Sequence, residues 1–350
     1  MLAEGASFLE RTLDGLDLSG LDFGGSSFLK TTLRGTNLTG ARLTECSFAS
    51  CDLSGAGLLQ AKMKSCAFHQ CVLDDARLEG ADLELAAFNE SSAEGARFVR
   101  VNLLHSAWHK VLLKGAAMTG SRLEHANFVA TDFGDASFDE ASLRHTILME
   151  LDLTSAKLDH ARFDKTTFFR NKMPGKSFAG LNLSTCQLME CELDGCNFDG
   201  ATLERTNFSR ATLRGASFKG AKMKNALFPN ANVAGANFAG AVLSEAIFME
   251  ADVTAANFTG VSANIGMFMR ADATGAIFRD AELTFGDFSN ANLKDADFSG
   301  ATMVRTRLHG TKQDNTKFSA SKAVAEGDNP ELLEAETWWS KNHRKRPKER

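Results

Sequence analysis

The chain has 350 residues, a net charge of −5, 27 Phe, seven Cys and no Tyr. That length holds two ordinary domains or one long one, and no apolar run approaches the roughly 20 residues that carry a helix across a bilayer. The start, MLAEGASFLE, has no basic segment followed by an apolar run; without a leader or a membrane span the chain reads as cytoplasmic, and export by a machine that uses no cleaved signal would leave no trace here.

From Phe8 onward every fifth residue is apolar: Phe8, Leu13, Leu18, Phe23, Phe28, Leu33 and so on to Phe318. Counting each fifth residue gives 63 units without an insertion or deletion, and Gln313 alone is polar at this place. A helix repeats its apolar residues near 3.6 and a strand at 2, so an undrifting period of five is neither. It means a short extended segment and a turn per unit, and such units must stack because none buries its own side chain alone.

The pattern is clearest from Cys196 to Gly300, where units such as ANFAG, ADFSG and ATLRG follow one another. These units resemble the pentapeptide-repeat family. The resemblance implies an all-β fold, a right-handed quadrilateral β-solenoid with four units per coil and the first and third residues of each unit pointing inward. Residues 1–318 would then make about 16 coils, and 319–350 a linker, a short α-helix and a basic tail.

Taken in order, the seven cysteines, Cys46, Cys51, Cys66, Cys71, Cys186, Cys191 and Cys196, all occupy first places where Ala usually stands. They read as small buried hydrophobes, since zinc pairs favour closer spacing and a reducing cytosol keeps neighbouring thiols apart. His105, His125 and His145 recur once per coil and should stack on one corner, a line that converges poorly on a metal ion. Asn171–Ser177 (NKMPGKS) is irregular: Asn171 and Lys176 fall on inward places and Pro174 removes a ladder donor. A local bulge with Lys176 turned to solvent, or a hinge, both fit. From Phe198 to Phe298 Phe stands at every tenth residue with smaller residues between, which places Phe on two opposite walls and leaves no interior pocket. Asn329-Pro330-Glu331 reads as the start of a helix that runs to about Lys341. Its Leu332, Leu333, Trp338 and Trp339 either cap the solenoid or, as the resemblance also allows, dimerise. The tail Lys341–Arg350 lacks interleaved aromatics for base stacking, so direct nucleic-acid binding is not expected.

An unbroken register sorts the surface by face. Face one, centred on Phe8, Phe28 and Phe48, carries an apolar stripe outward: Ile147, Met149, Phe169, Met189, Leu227, Ile247, Met249, Met267 and Met269. A repeated apolar row on one side suits a protein partner or self-association. Face two, centred on Leu13, Leu33 and Leu53, sets 14 acids against six bases, including Asp132, Asp135, Asp152, Glu192 and Asp194, and many of its units end in Gly, which suits a turn at positive φ. No phosphate loop, nucleophile elbow or metalloprotease helix is present, so no catalytic residue, cofactor or metal is assigned. The favoured function is a non-enzymatic protein-binding scaffold. Two others follow from the resemblance. One is a DNA mimic that binds and protects DNA gyrase or another type II topoisomerase, though its acids are far sparser than one charge per ~1.7 Å of duplex and the loop insertions of the quinolone-resistance members are missing. The other is an effector or accessory protein of a bacterial secretion system.

Overall fold

The computed structural model describes residues 5–318 and 324–334. They form a parallel-strand β-solenoid of about 16 turns with one short helix. The chain divides into two compact units: unit 1 is Met1–Lys176 with Leu181–Glu192, and unit 2 is Ser177–Gly180 with Leu193–Arg350. The division falls at the irregular stretch around Pro174.

One coil explains both. The second residue of each five pairs with its equivalent one coil on, as Thr12 with Thr32, Asp17 with Asn37 and Asp22 with Arg42. Leu13 donates its N–H to the Thr32 carbonyl at 2.8 Å, and Thr32 donates to the Arg11 carbonyl at 2.9 Å. The third residue points inward and the chain then turns: Leu16 N–H closes on the Leu13 carbonyl at 3.3 Å, with Gly15 at φ 66° between them. A positive φ at the third place of a four-residue turn is the type II geometry, which Gly adopts without cost.

In unit 1, face one is a ten-stranded parallel sheet from β1 (Ser7–Leu9) to β10 (Gln187–Met189), in sequence order. Its inner rings stack: Phe28, Phe48, Phe68 and Phe88 lie 4.7–5.0 Å apart, and Trp108 continues the column. The corner that follows this sheet does not close its turns. Instead, the fourth residue stays in the parallel ladder, and at most levels a first-place side chain from the next coil also reaches the corner carbonyl. Thr31 Oγ1 reaches the Phe8 carbonyl at 2.9 Å, Cys51 Sγ the Phe28 carbonyl at 3.3 Å, Cys71 Sγ the Phe48 carbonyl at 3.3 Å and Asn171 Nδ2 the Leu148 carbonyl at 2.9 Å. All seven cysteines are free thiols and buried. Burial pushes the Cys46 thiol up to about 11.

In unit 2 the equivalent corner carries Ala211, Ala231, Ala251, Ala271 and Ala291, and each closes its turn on the preceding Phe at 2.9–3.1 Å. Phe rings form two facing columns. From Phe198 to Phe298 neighbours within a column lie 4.6–4.9 Å apart, as Phe198–Phe218, Phe218–Phe238 and Phe228–Phe248, while rings across the core meet edge-on, as Phe238–Phe248 at 5.7 Å and 90°. β11 (Asp297–Phe298) pairs with β12 (Lys317–Phe318).

Lys176 departs from the expectation that it turns away to solvent. It is half-buried, and its Nζ donates to the Ala156 carbonyl at 2.5 Å. A cationic donor that meets a backbone acceptor need not leave the coil. Past 318 the ladder continues out of the five-residue register: Glu326, one residue early, bridges Arg307. Asn329 then caps helix 330–334, its Oδ1 accepting the Leu332 N–H at 3.1 Å. Leu332 is exposed and Leu333 half-buried, while Trp338, Trp339 and the basic tail lie outside the described residues.

Candidate interaction surface

A full core leaves the outward second and fourth residues of face one without a packing role. In unit 1, β8 (Ile147–Met149), β9 (Thr167–Phe169) and β10 lie side by side, with Met149 opposite Phe169 and Phe169 opposite Met189. Ile147 is 39% exposed, and Met149, Phe169 and Met189 are half-buried. An ion-pair ladder borders the row: Arg170 lies 3.6 Å from Glu150 and 2.9 Å from Glu190, and its guanidinium sits 4.8 Å over the Phe169 ring. The Glu190 hydrogen bond, first of all, holds the Arg170 pKa above its ordinary value.

The stripe is not continuous. Between Leu29 and Val129 the same fourth places hold a polar ladder: Asn89 bonds His69 Nδ1 at 2.9 Å and His109 Nδ1 at 2.8 Å. In unit 2 a second apolar block appears, in which Leu227 bridges Ile247 and Ile247 bridges Met267, with Met249 and Met269 beside them. Met267 is exposed and the others half-buried. Two residues that the face assignment missed extend this block around the corner, Ile265 (48% exposed) and Phe285 (53%), with Arg305 5.4 Å over the Phe285 ring. They sit on fifth places at φ 60° and 59°, where Gly, Asn or a charged residue is the ordinary occupant.

The acids of face two have local employment. Asp132 Oδ1 accepts the Gly134 N–H at 2.9 Å and Asp152 Oδ1 the Thr154 N–H at 2.9 Å. The Thr154 side chain and N–H hold the Asp152 carboxyl below its usual range. Asp194, in unit 2, is half-buried and takes Arg214 at 2.9 and 2.6 Å. Burial opposes the Asp194 charge, but the Arg214 bonds outweigh it and lower the pKa. Neutral Asn performs the same turn-bonding task at Asn232, Asn237 and Asn257, so the task does not require charge. Asp135 and Glu192 are exposed. At Gly134 the positive φ, 46°, falls on the fourth residue of its unit instead of the fifth. There Asp132 and Asp152 form no bridge, and an open cleft of about 660 Å³ lies between them, with Glu150 on its wall.

His105, His125 and His145 stack with ring centres 4.8 Å apart, which lines up their nitrogens instead of converging them. Among the described residues no group of three or more His, Cys, Asp or Glu is placed to hold a metal ion, and no helix is long and apolar enough to cross a membrane.

Family models for a pentapeptide repeat region match residues 21–98, 41–118, 116–198 and 161–238, and a model of eight pentapeptide copies matches 228–262 and 276–312. The chain belongs to the pentapeptide-repeat family. No curated protein matches it. Similar solved structures include HetL, a pentapeptide-repeat protein involved in heterocyst differentiation regulation in the cyanobacterium Nostoc, at 21% identity, TM-score 0.26, over 71% of this chain and 92% of that one. Another is a trypsin-treated variant of QnrB1, a plasmid-mediated fluoroquinolone resistance protein, at 18% identity, TM-score 0.36, over 63% and 93%. A mannuronic-acid-specific family 6 lyase from human gut microbiota aligns at 9% identity, TM-score 0.25, over 96% and 88%.

Proposed function

We propose that this pentapeptide-repeat chain is a non-enzymatic protein-binding scaffold that offers its face-one apolar blocks to a protein partner or to itself. One observation carries the reading: Met149, Phe169 and Met189 stand in register on adjacent strands, outside a core that Leu148, Phe168 and Leu188 already fill. Covering such a row gains about 25 cal/mol per Å² of apolar surface, and Met adapts to irregular partners. The test is the triple variant Met149→Glu, Phe169→Glu, Met189→Glu, followed by pull-down and by sedimentation. Capture of partner or self-association should fall while folding persists; unchanged association removes the support.

A second reading, binding and protection of gyrase or another type II topoisomerase, draws on the acidic cleft at Asp132, Glu150 and Asp152. It is weaker because the carboxylates serve turns that Asn serves equally well. Purified protein at micromolar concentration is expected to leave gyrase supercoiling unchanged. An effect abolished by charge reversal at Asp132, Asp135, Asp152, Glu192 and Asp194 would favour this reading instead. A role beside a secretion system is compatible with the scaffold, and the neighbouring genes would identify it.

A further inference from the structure

The two apolar blocks differ in one respect that bears on what covers them. In the unit 1 block, from Val129 to Met189, only the fourth-place column is apolar throughout; the second places run Asn127, Ile147, Thr167, Gln187. In unit 2 both columns are apolar at adjacent levels, Ile247 and Met249 on one coil, Met267 and Met269 on the next. Beside them, on the corner toward face two, Glu250 and Arg270 lie 3.2 Å apart with side chains 44% and 67% exposed.

We propose that the unit 2 block binds a second copy of this chain, face to face, across a two-fold axis. The inference rests on the scaffold reading and names the partner of one of its two blocks. Consider an axis in the plane of face one, perpendicular to the stacking direction, midway between the coils of Met249 and Met269. It inverts the order of the coils and lays each column over itself. Met249 then faces Met269 of the second copy and Ile247 faces its Met267. Glu250 faces Arg270, and each contact occurs twice, as an isologous interface requires. The neighbouring corner residues, Asn230 and Asn290, also face one another and can exchange amide bonds.

Charge selects this register. Moving the axis to the coil of Glu250 sets Glu250 against Glu250. Moving it to the coil of Arg270 sets Arg270 against Arg270. Each wrong register places like charges opposite each other, the repulsive element that specificity needs. The unit 1 block is less suited: its Arg170 is already held by two glutamates and its second column is polar. Six coils of this face, from Asn207 to Arg307, span about 24 Å at a coil spacing of about 4.8 Å. That is a small patch beside the roughly 800 Å² per partner of a standard interface, so the dimer should be weak and depend on concentration.

The experiment is sedimentation of the full chain over a range of concentrations, with Glu250→Arg and Arg270→Glu made separately. Wild type should show a monomer–dimer equilibrium. Each single variant sets like charges against each other and should weaken it by about tenfold. An equimolar mixture of the two should restore it, because the arginine introduced in one copy then meets the glutamate introduced in the other. The pair broken within each chain is exposed, so thermal unfolding of both variants should stay near wild type and serves as the folding control. A monomeric wild type, single variants that dimerise as wild type does, or a mixture no tighter than its components would each overturn the proposal. The scaffold reading fails separately, when glutamates at Met149, Phe169 and Met189 leave partner capture and self-association untouched.

Discussion

The same corner of the coil is built in two ways. In unit 1 the corner after the face-one sheet is left open, and Thr31, Cys51, Cys71, Ser91, Thr131, Asn171 and Cys191 reach from one coil to the carbonyl of the coil before. In unit 2 Ala occupies that place and the backbone closes its own turn. A carbonyl buried at a corner must find a donor, and either route satisfies it. With the turn closed, the donor is local; with it open, the fourth residue stays extended and the face becomes a continuous sheet. First-place identity alone does not decide which: Val111 and Leu151 stand at open corners without a side-chain donor, and Thr36 Oγ1 reaches the Leu13 carbonyl at 2.9 Å where the Leu16 N–H also closes the turn.

The largest loss is expected in the unit 2 core. Phe238→Asp buries a charge among rings 4.7–4.8 Å away. It should cost more than about 4 kcal/mol, seen as loss of the β circular-dichroism signal or a sharply lower melting temperature. A wild-type melt would contradict the inward placement. Next comes the open corner. Asn171 is buried, donates to the Leu148 carbonyl and accepts the Leu151 N–H at 2.9 Å. Asn171→Leu removes both bonds and takes the acceptor from the buried Leu151 N–H, and should cost about 1–3 kcal/mol by denaturant unfolding. Ala231→Ser, at the same corner of unit 2, should change stability by less than about 1 kcal/mol, because its turn is already closed. Equal losses at the two sites would erase the distinction.

A smaller effect concerns Asp297. Its bond from the Ser299 hydroxyl, first, and then its other donors, including Arg279 at 2.7 Å, hold its pKa at about 2. A depressed carboxylate stabilises the folded state above its unfolded pKa, and that contribution disappears as pH falls toward 2. Asp297→Asn should therefore cost about 1–2 kcal/mol at neutral pH and flatten the loss of stability between pH 4 and 2. An unchanged acid limb would refute the assignment. The smallest effect is of opposite sign. Ile265 holds φ 60°, a costly conformation for a β-branched residue. Ile265→Gly should raise stability by up to about 1 kcal/mol in thermal unfolding, and a clear loss would mean that the corner packs on something.

Much of this is legible in the chain itself. The register from Phe8 to Phe318 marks the coil, alternation of Phe and smaller residues marks the unit 2 columns, and the Asn-Pro-Glu start marks the helix. What escapes is whatever depends on side chains in neighbouring coils. The open corners pair a first-place side chain with a carbonyl in the coil before. His69, Asn89 and His109 meet once per coil and make face one polar ahead of the stripe. Ile265 and Phe285 go unnoticed because fifth places read as turns, where apolar residues are not sought. Lys176 reads as solvent-facing because no linear pattern reveals the Ala156 carbonyl that its ammonium meets.

The proposed function gives neighbouring residues on face one separate tasks, the inner to fold and the outer to bind. Phe168 and Phe169 separate the two: they are adjacent in β9, one fully buried and the other half-buried. The measurement is the thermal unfolding of Phe168→Glu beside that of Phe169→Glu. Phe168→Glu should destabilise by more than about 4 kcal/mol, while Phe169→Glu should stay within about 1 kcal/mol of wild type. Equal destabilisation by the two variants would show that the outer row belongs to the core and would contradict that division.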